Sequence, residues 1–89
     1  MAWTIEYTRS VQKSLKSLDT QTRGRIRKFL DQRIANMDDP RQTGKALQGS
    51  ELGNYWRYRI GDYRILCDLQ DHRLVVLVVE IGHRREVYR

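Results

Sequence analysis

Three arginines flank a two-residue reversal in the second half of the chain, and they are the side chains best suited to chemistry on an anion. Arg57 and Arg59 precede Gly61-Asp62 in the segment YWRYRI-GD-YRILCDL, and Arg64 follows it. Glycine at the first position of a two-residue turn favours a type II′ hairpin, in which Arg59 lies directly opposite Arg64. Opposed residues share a face and neighbours along a strand alternate. The three guanidinium groups are therefore predicted to share one face of the hairpin.

We call the surface defined by Arg57, Arg59 and Arg64 the arginine face. Like charges placed opposite one another destabilise a sheet, and a phosphate held between them would offset that cost. The alternative is an ordinary solvated polar face, although such faces more usually mix charges of both signs. A three-residue turn would separate Arg64 from the other two arginines. The opposite face is predicted to be the core, and it carries Trp56, Tyr58, Ile60, Tyr63, Ile65, Cys67 and Leu69.

The C-terminal residues supply further cations and an aromatic side chain. Gly82 is predicted to end the last strand, and the tail HRREVYR follows it. If this tail folds back along the sheet edge, Arg84 and Tyr88 reach the arginine face. Aromatic rings stack on unpaired bases while guanidinium groups hold phosphates, a combination that suits single-stranded RNA. Further RNA contacts are expected from Tyr55, Lys45, His83 and Arg85, with a plain loop histidine as the alternative for His83.

The elements that position these residues follow from hydrophobic periodicity. Residues 3–7 predict a first strand, Thr8 or Ser10 caps a helix that runs to about Leu18, and Asp19 caps a second helix that runs to Met37. A loop is expected over 38–54, followed by strands at 55–60, 63–69 and 74–81, the last one apolar enough to be central. The sequence predicts a single α+β domain over residues 1–89: an N-terminal strand and a two-helix hairpin packed on one face of a small antiparallel sheet.

Composition limits the classes of partner. The chain has 89 residues, 17 Lys and Arg against 11 Asp and Glu, and a net charge of +6, which favours a polyanionic partner. The polar side of the helices either grips such a partner or is simply solvated. The only cysteine, Cys67, excludes an internal disulfide and is expected to be buried. No signal peptide or membrane-spanning run is visible, so a cytoplasmic location is expected. We expect neither a metal ion nor a cofactor.

The sequence resembles the RelE/ParE superfamily of bacterial toxins, most closely its RelE branch. The resemblance rests on LQGSELGNYWRYRIGDYRI, on the apolar strand after it and on the ending GHRREVYR. It implies an RNase-like α+β fold and an endonuclease that cuts messenger RNA in the ribosomal A site through attack of a 2′-hydroxyl on the adjacent phosphate. It also implies a cognate antitoxin, through which the complex can bind operator DNA. The site residues that it implies are Arg57, Arg59, Arg64, Arg84 and Tyr88.

Departures from that branch shape the expected mechanism. Arg57 and Arg59 stand where a well-known branch has lysines, and Gln48 stands where it has arginine. Arginine stays protonated near neutral pH, so it clamps a phosphate but hardly acts as a base. Catalysis is therefore expected to be mainly electrostatic, with the ribosome aligning the substrate. Two alternatives remain open: a ParE-like inhibitor of DNA gyrase, and a non-catalytic nucleic-acid-binding module.

Overall fold

The computed structural model describes residues 3–47 and 55–83 of the chain. Strand β1 (Thr4–Tyr7) leads into helices α1 (Arg9–Lys16) and α2 (Thr20–Lys28), and α2 continues as a π-helical segment over Phe29–Ile34. A 3₁₀ turn at Pro40–Gln42 precedes strand β2 (Lys45–Ala46). The remaining strands are β3 (Tyr55–Ile60), β4 (Tyr63–Gln70) and β5 (Val75–His83).

Both helices begin at residues that the sequence marks as caps. The Thr8 hydroxyl accepts a hydrogen bond from the backbone N–H of Val11 at 3.2 Å, and the Asp19 carboxylate accepts one from Thr22 at 3.1 Å. The hydrogen bonds to Thr22 lower the pKa of Asp19. Helix α1 ends at Lys16, two residues before the predicted end at Leu18, because Asp19 already adopts the extended backbone of the next N-cap.

The core lies between the helices and one face of the sheet. The helices and the π-helical segment contribute apolar side chains spaced along one stripe, and the sheet contributes the face predicted from the hairpin alternation. The buried cluster comprises Trp3, Val11, Leu15, Ile26, Leu30, Ile34, Tyr58, Ile65, Cys67, Leu69, Val76 and Val78. The predicted α+β fold, with helices on one face of the sheet, is confirmed.

The sheet has the strand order β1-β5-β4-β3-β2, so β5 is an interior strand between β1 and β4, as its apolar sequence predicts, and β4 is the middle strand. It is mixed and not wholly antiparallel, because β1 pairs parallel with β5 while the other pairs are antiparallel. Parallel neighbours need a long crossover connection. Here the two helices and the β3–β4 hairpin lie between β1 and β5 in the chain, so the last strand can return beside the first in the same direction.

A fifth strand, β2, lies within the segment that the sequence predicts to be loop. Lys45 pairs with Arg57 and Ala46 with Trp56 at the edge of the sheet. Gly44 precedes this strand with φ +83°, and a Cβ there would lie 2.6 Å from the carbonyl oxygen of Arg57. The prediction of a continuous loop over 38–54 is therefore wrong at Lys45–Ala46, since two residues carry too little pattern to reveal a strand.

Strand β5 also runs further than predicted. It continues through Gly82, which pairs with Arg64, to His83, which pairs with Tyr63. The prediction that Gly82 ends the strand is wrong, because the backbone ladder with β4 outweighs the weak strand propensity of one glycine. Among residues 3–47 and 55–83, no helix combines the length and apolar character needed to cross a bilayer.

Substitutions at two glycines test the packing of β2. We expect Gly44→Ala to lower the free energy of unfolding by more than about 1 kcal/mol, because alanine resists positive φ and its Cβ has no room. Gly24→Ala is the matched control: nothing lies within 4 Å of a Cβ at this helical position. It should raise stability by up to about 1 kcal/mol. Urea unfolding of both variants measures the difference, and equal effects would contradict this account of β2.

Cys67 is expected to be unreactive in the folded protein. Its side chain is fully buried, and burial raises the pKa of its thiol well above the ordinary value, so little thiolate is present. Ellman's reagent at mildly alkaline pH should label the chain only as fast as it unfolds, and urea should restore ordinary reactivity. Rapid labelling of the folded protein would show that the strand carrying Cys67 is not closed over by the helices.

Candidate nucleic-acid interface

The hairpin register places the three arginines on one face, as the turn chemistry predicts. Ile60 pairs with Tyr63, and Arg59 pairs directly with Arg64 across a two-residue reversal. Gly61 has φ +57°, as the first position of a type II′ turn requires. Tyr58 and Ile65, on the other face, are buried. The structure thus brings Arg57, Arg59 and Arg64 together on the face turned away from the helices.

The paired arginines create a place for an anion. The Cβ atoms of directly opposed residues lie about 4.5–5.5 Å apart, so two positive groups occupy one small area at a cost that grows as water is excluded. On the other side of Arg64, its β5 neighbour is Gly82, which has no side chain. Within the sheet, a phosphate that approaches Arg64 therefore meets a second guanidinium on the β3 side and a residue without a side chain on the β5 side.

A pocket of about 310 Å³ joins this face to the β2 edge of the sheet. Its lining residues come from four parts of the chain. These are the π-helical segment, residues 43–45 at the start of β2, strand β3 and strand β4. Among the described residues that line it there is no carboxylate, and five are cationic. The lining comprises Phe29, Arg33, Thr43, Gly44, Lys45, Arg57, Tyr58, Arg59 and Arg64. Such a concentration of one sign of charge favours a phosphate-bearing ligand.

Two hydrogen bonds from aromatic side chains hold the β2 edge of this pocket in place. The indole N–H of Trp56 donates to the carbonyl oxygen of Thr43 at 2.6 Å, and the Tyr58 hydroxyl donates to that of Pro40 at 2.7 Å. Because Gly44 packs directly between these aromatic residues, β2 lies close against β3. Lys45 is thereby placed beside Arg57 at the edge of the arginine face, and its contact with RNA stays a prediction.

Arg33 is a pocket residue that the sequence does not single out. Its guanidinium lies over the Phe29 ring, 5.5 Å from the ring centre, and Phe29 packs edge-on against Tyr58 at 5.9 Å. A cation held over an aromatic ring gains roughly 0.5–1 kcal/mol when exposed. From sequence, Arg33 is one of many basic residues on the polar side of a helix. Its selection depends on the packing of Phe29 against Tyr58, which the sequence pattern does not reveal.

The other predicted site residues are spread over different places. Tyr55 lies on the arginine face but at the far end of β3, opposite Asp68. His83 lies on the opposite face, where its ring contacts that of Tyr63 at 5.4 Å. The structure therefore separates His83 from the arginine face, because β5 continues in register with β4. Arg84, Arg85 and Tyr88 lie outside the described residues, as does Gln48.

Part of the basic surface of the helices serves internal contacts. Arg27 lies over the ring of Tyr7 at 4.8 Å, while the Tyr7 hydroxyl donates to Asp31 at 2.7 Å. Burial and the bond to Asp31 raise the pKa of Tyr7. Arg23 donates at the limit of hydrogen-bond distance to the carbonyls of Leu15 and Leu18. For Arg23 and Arg27 the internal contacts already account for the positive charge, which leaves the pocket as the better candidate for binding nucleic acid.

Fold and site together define a class: a small α+β domain whose sheet presents a cluster of cations opposite its helix-covered face. A family model described as the ParE toxin of type II toxin–antitoxin systems matches residues 5–88. The chain belongs to this family, and so to the RelE/ParE superfamily that its motifs resemble.

Relatives agree with that assignment. Toxin RelG of Mycobacterium tuberculosis is 26% identical over 89 residues, which is 100% of this chain and 99% of RelG. The toxin–antitoxin complex RelBE2 of M. tuberculosis contains a chain with a TM-score of 0.83 and 22% identity, covering 97% of this chain and 95% of that one. A chain of the archaeal RelE–RelB complex of Pyrococcus horikoshii OT3 has a TM-score of 0.77 and 24% identity, and the match covers 98% of this chain and 100% of that one. The isolated E. coli RelE toxin has a TM-score of 0.73 and 19% identity, and the match covers 92% of this chain and 84% of that one.

Salt dependence of RNA binding tests the pocket. Each phosphate contact contributes about −0.7 to the slope of log K against log salt for a single strand. Arg59→Gln and Arg64→Gln should each flatten this slope by about 0.7 for a short oligouridylate followed by fluorescence anisotropy. Lys13→Gln, which removes an exposed cation from α1, is the control and should change the slope little. An equal effect of all three would mean that the charge acts only through its total.

Proposed function

We propose that this type II toxin is an endonuclease that cleaves messenger RNA bound in the ribosomal A site. The observation that carries the proposal is the direct pairing of Arg59 with Arg64 on the sheet face turned away from the helices. In the proposed reaction the 2′-hydroxyl of one nucleotide attacks the adjacent phosphate, and negative charge accumulates on the phosphate oxygens. Fixed guanidinium groups aimed at those oxygens stabilise the transition state more than the ground state.

The pocket geometry supports a division of roles among its cations. Arg59 and Arg64, paired across the strands, hold the scissile phosphate, and Arg57 with Lys45 extends the positive surface toward the β2 edge. Arg33, on the helix side of the pocket, suits a neighbouring phosphate of the same strand. By resemblance, Arg84 adds a further phosphate contact, and Tyr88 stacks on a base, orients the 2′-hydroxyl or serves as a weak base.

We expect cleavage to depend on the ribosome, because the arginines stabilise charge but do not align the 2′-hydroxyl with the phosphate. Guanidinium groups stay protonated, so they bind and stabilise charge without removing a proton. Correct alignment of a reacting group is worth several kcal/mol in general. A messenger held in line by the ribosome would supply that alignment, so we expect free RNA to be cut far more slowly than ribosome-bound RNA.

A cognate antitoxin is the proposed protein partner. The structural relatives from M. tuberculosis and P. horikoshii are toxin–antitoxin complexes. An antitoxin that covers or distorts the cationic pocket would block the proposed chemistry. Binding of operator DNA is proposed to occur through that antitoxin.

Inhibition of DNA gyrase is the second candidate function. It is favoured by one observation, namely that the matching family model is that of the ParE toxin. A gyrase inhibitor does not need a phosphate-binding cluster on its sheet. Substitutions in the arginine face should therefore leave such an activity intact, which makes the two functions separable by experiment.

Mapping of messenger 5′ ends after toxin induction tests the proposal. We expect new ends inside reading frames, which disappear when translation is blocked. Arg64→Ala should lower cleavage by roughly 10²–10³-fold, the usual cost of removing one fixed charge-stabilising donor. Lys13→Gln should cut like the unmodified toxin, and Tyr88→Phe tests the contribution of the tail.

Other outcomes point elsewhere. Toxicity that survives both Arg64→Ala and Tyr88→Phe, with reduced supercoiling by gyrase in vitro, would replace the endonuclease proposal by the second candidate. Ends that persist when translation is blocked would indicate an RNase that acts without the ribosome. Binding to ribosomes without any new ends would leave a non-catalytic binding module.

A further inference from the structure

Glu80 is one of the acidic residues that the fold brings to the arginine face. It pairs with Leu66 on β4, two positions along the strand from Arg64. Since Leu66 and Arg64 point the same way, Glu80 shares their face, and its side chain is exposed. The apolar run around it hides this position in the sequence, where Glu80 is the single charge within a buried-strand pattern.

An irregularity in β5 decides where Glu80 points. Cys67 pairs with Val78, and the preceding residue, Leu66, pairs with Glu80. Val79 is therefore an extra residue in β5, inserted between two residues that pair with consecutive positions of β4. Without this bulge, the register would pair Glu80 with Ile65, whose side chain is completely buried. The bulge thus turns the carboxylate from the core to the arginine face. Bulges occur preferentially beside active sites, where they re-aim a side chain.

Glu80 lies on the same face as the arginines, within two strands of each of them. Rows across the sheet run Arg57–Leu66–Glu80 and Arg59–Arg64–Gly82. Neighbouring strands lie about 4.8 Å apart, so Glu80 is roughly 10 Å from Arg57 between backbones, and diagonal to Arg64. Leu66 and Gly82, which lie between these charges, present one apolar side chain and none. A phosphate over Arg64 would therefore lie between guanidinium groups on one side and a carboxylate on the other.

We propose that Glu80 is the general base of the reaction, an inference that rests on the proposed endonuclease function. A carboxylate oxygen can accept a proton from a hydroxyl group within hydrogen-bond reach. An oxygen of Glu80 takes the proton of the 2′-hydroxyl while the 2′-oxygen forms a bond to phosphorus. The bond from phosphorus to the 5′-oxygen breaks, and that oxygen takes a proton from solvent. The products are a 2′,3′-cyclic phosphate and a 5′-hydroxyl, and Glu80 then returns its proton to water.

Glu80 would supply the proton acceptor that the arginines do not provide. Arg57, Arg59 and Arg64 provide charge stabilisation but no base. His83, the first residue of the tail, lies on the other face against Tyr63. Among the described residues, Asp68 also lies on the arginine face, but it is opposite Tyr55 and accepts a hydrogen bond from Gln70 at 3.0 Å. Glu80 is the carboxylate diagonal to Arg64.

The test compares Glu80→Gln with Asp68→Asn in single-turnover cleavage of ribosome-bound messenger. Both variants remove one negative charge from the same face, so both should bind RNA at least as well as the unmodified toxin. Only Glu80→Gln should lose rate at saturating toxin, by roughly 10²–10⁴-fold, the usual contribution of a general base.

Each other result has a defined meaning. If Arg64→Ala abolishes cleavage while Glu80→Gln retains the full rate, Glu80 is not the base, although the endonuclease function stands. If Glu80→Gln weakens RNA binding without changing the saturated rate, Glu80 only positions the arginines and the proposal is overturned. If the unmodified toxin cuts nothing on ribosomes, the proposed function itself has failed. Urea unfolding shows whether Glu80→Gln is folded, and Glu80→Asp, which retains a carboxylate, should recover part of the rate.

Discussion

The alternation of side chains between the two faces of the β3–β4 hairpin constrains the rest of the molecule. A two-residue reversal at Gly61-Asp62 makes Arg59 face Arg64, and the same alternation sends Tyr58 and Ile65 into the core. One residue more in the reversal would exchange the faces of one strand relative to the other. Gly61 fits the left-handed backbone of this reversal at no steric cost. The cationic surface and the packed interior are therefore two consequences of one local geometry.

Tyr58 connects the two sides of that arrangement. Its ring is buried against Phe29, and its hydroxyl donates to the carbonyl of Pro40. Both the π-helical segment that carries Arg33 and the turn before β2 are thereby fixed relative to β3. A buried donor without a partner would cost roughly 1–3 kcal/mol, so this bond also makes the position of the turn specific. The pocket has a defined shape because its walls share a single buried side chain.

Features governed by neighbours in sequence were predictable, and features governed by tertiary packing were not. Helix caps at Thr8 and Asp19 and the hairpin register depend on a few adjacent residues, so the sequence alone indicates them. Strand β2 depends on bonds from Trp56, thirteen residues from Thr43 along the chain. The selection of Arg33 and the orientation of Glu80 require packing and a bulge that no periodicity reveals. For the same reason His83 was expected beside the arginines and lies instead on the other face.

The alternation of faces separates the residues that hold the fold together from those proposed to do chemistry. Arg59 is exposed and makes no part of the buried cluster, whereas its neighbour Tyr58 belongs to it. Replacing the exposed Arg59 by a neutral residue removes nothing from the buried cluster, so such a variant should remain folded. Such a protein can change its target by drift on one surface while its interior stays under separate selection. A substitution on the arginine face can therefore remove the proposed activity and still leave the rest of the molecular surface intact.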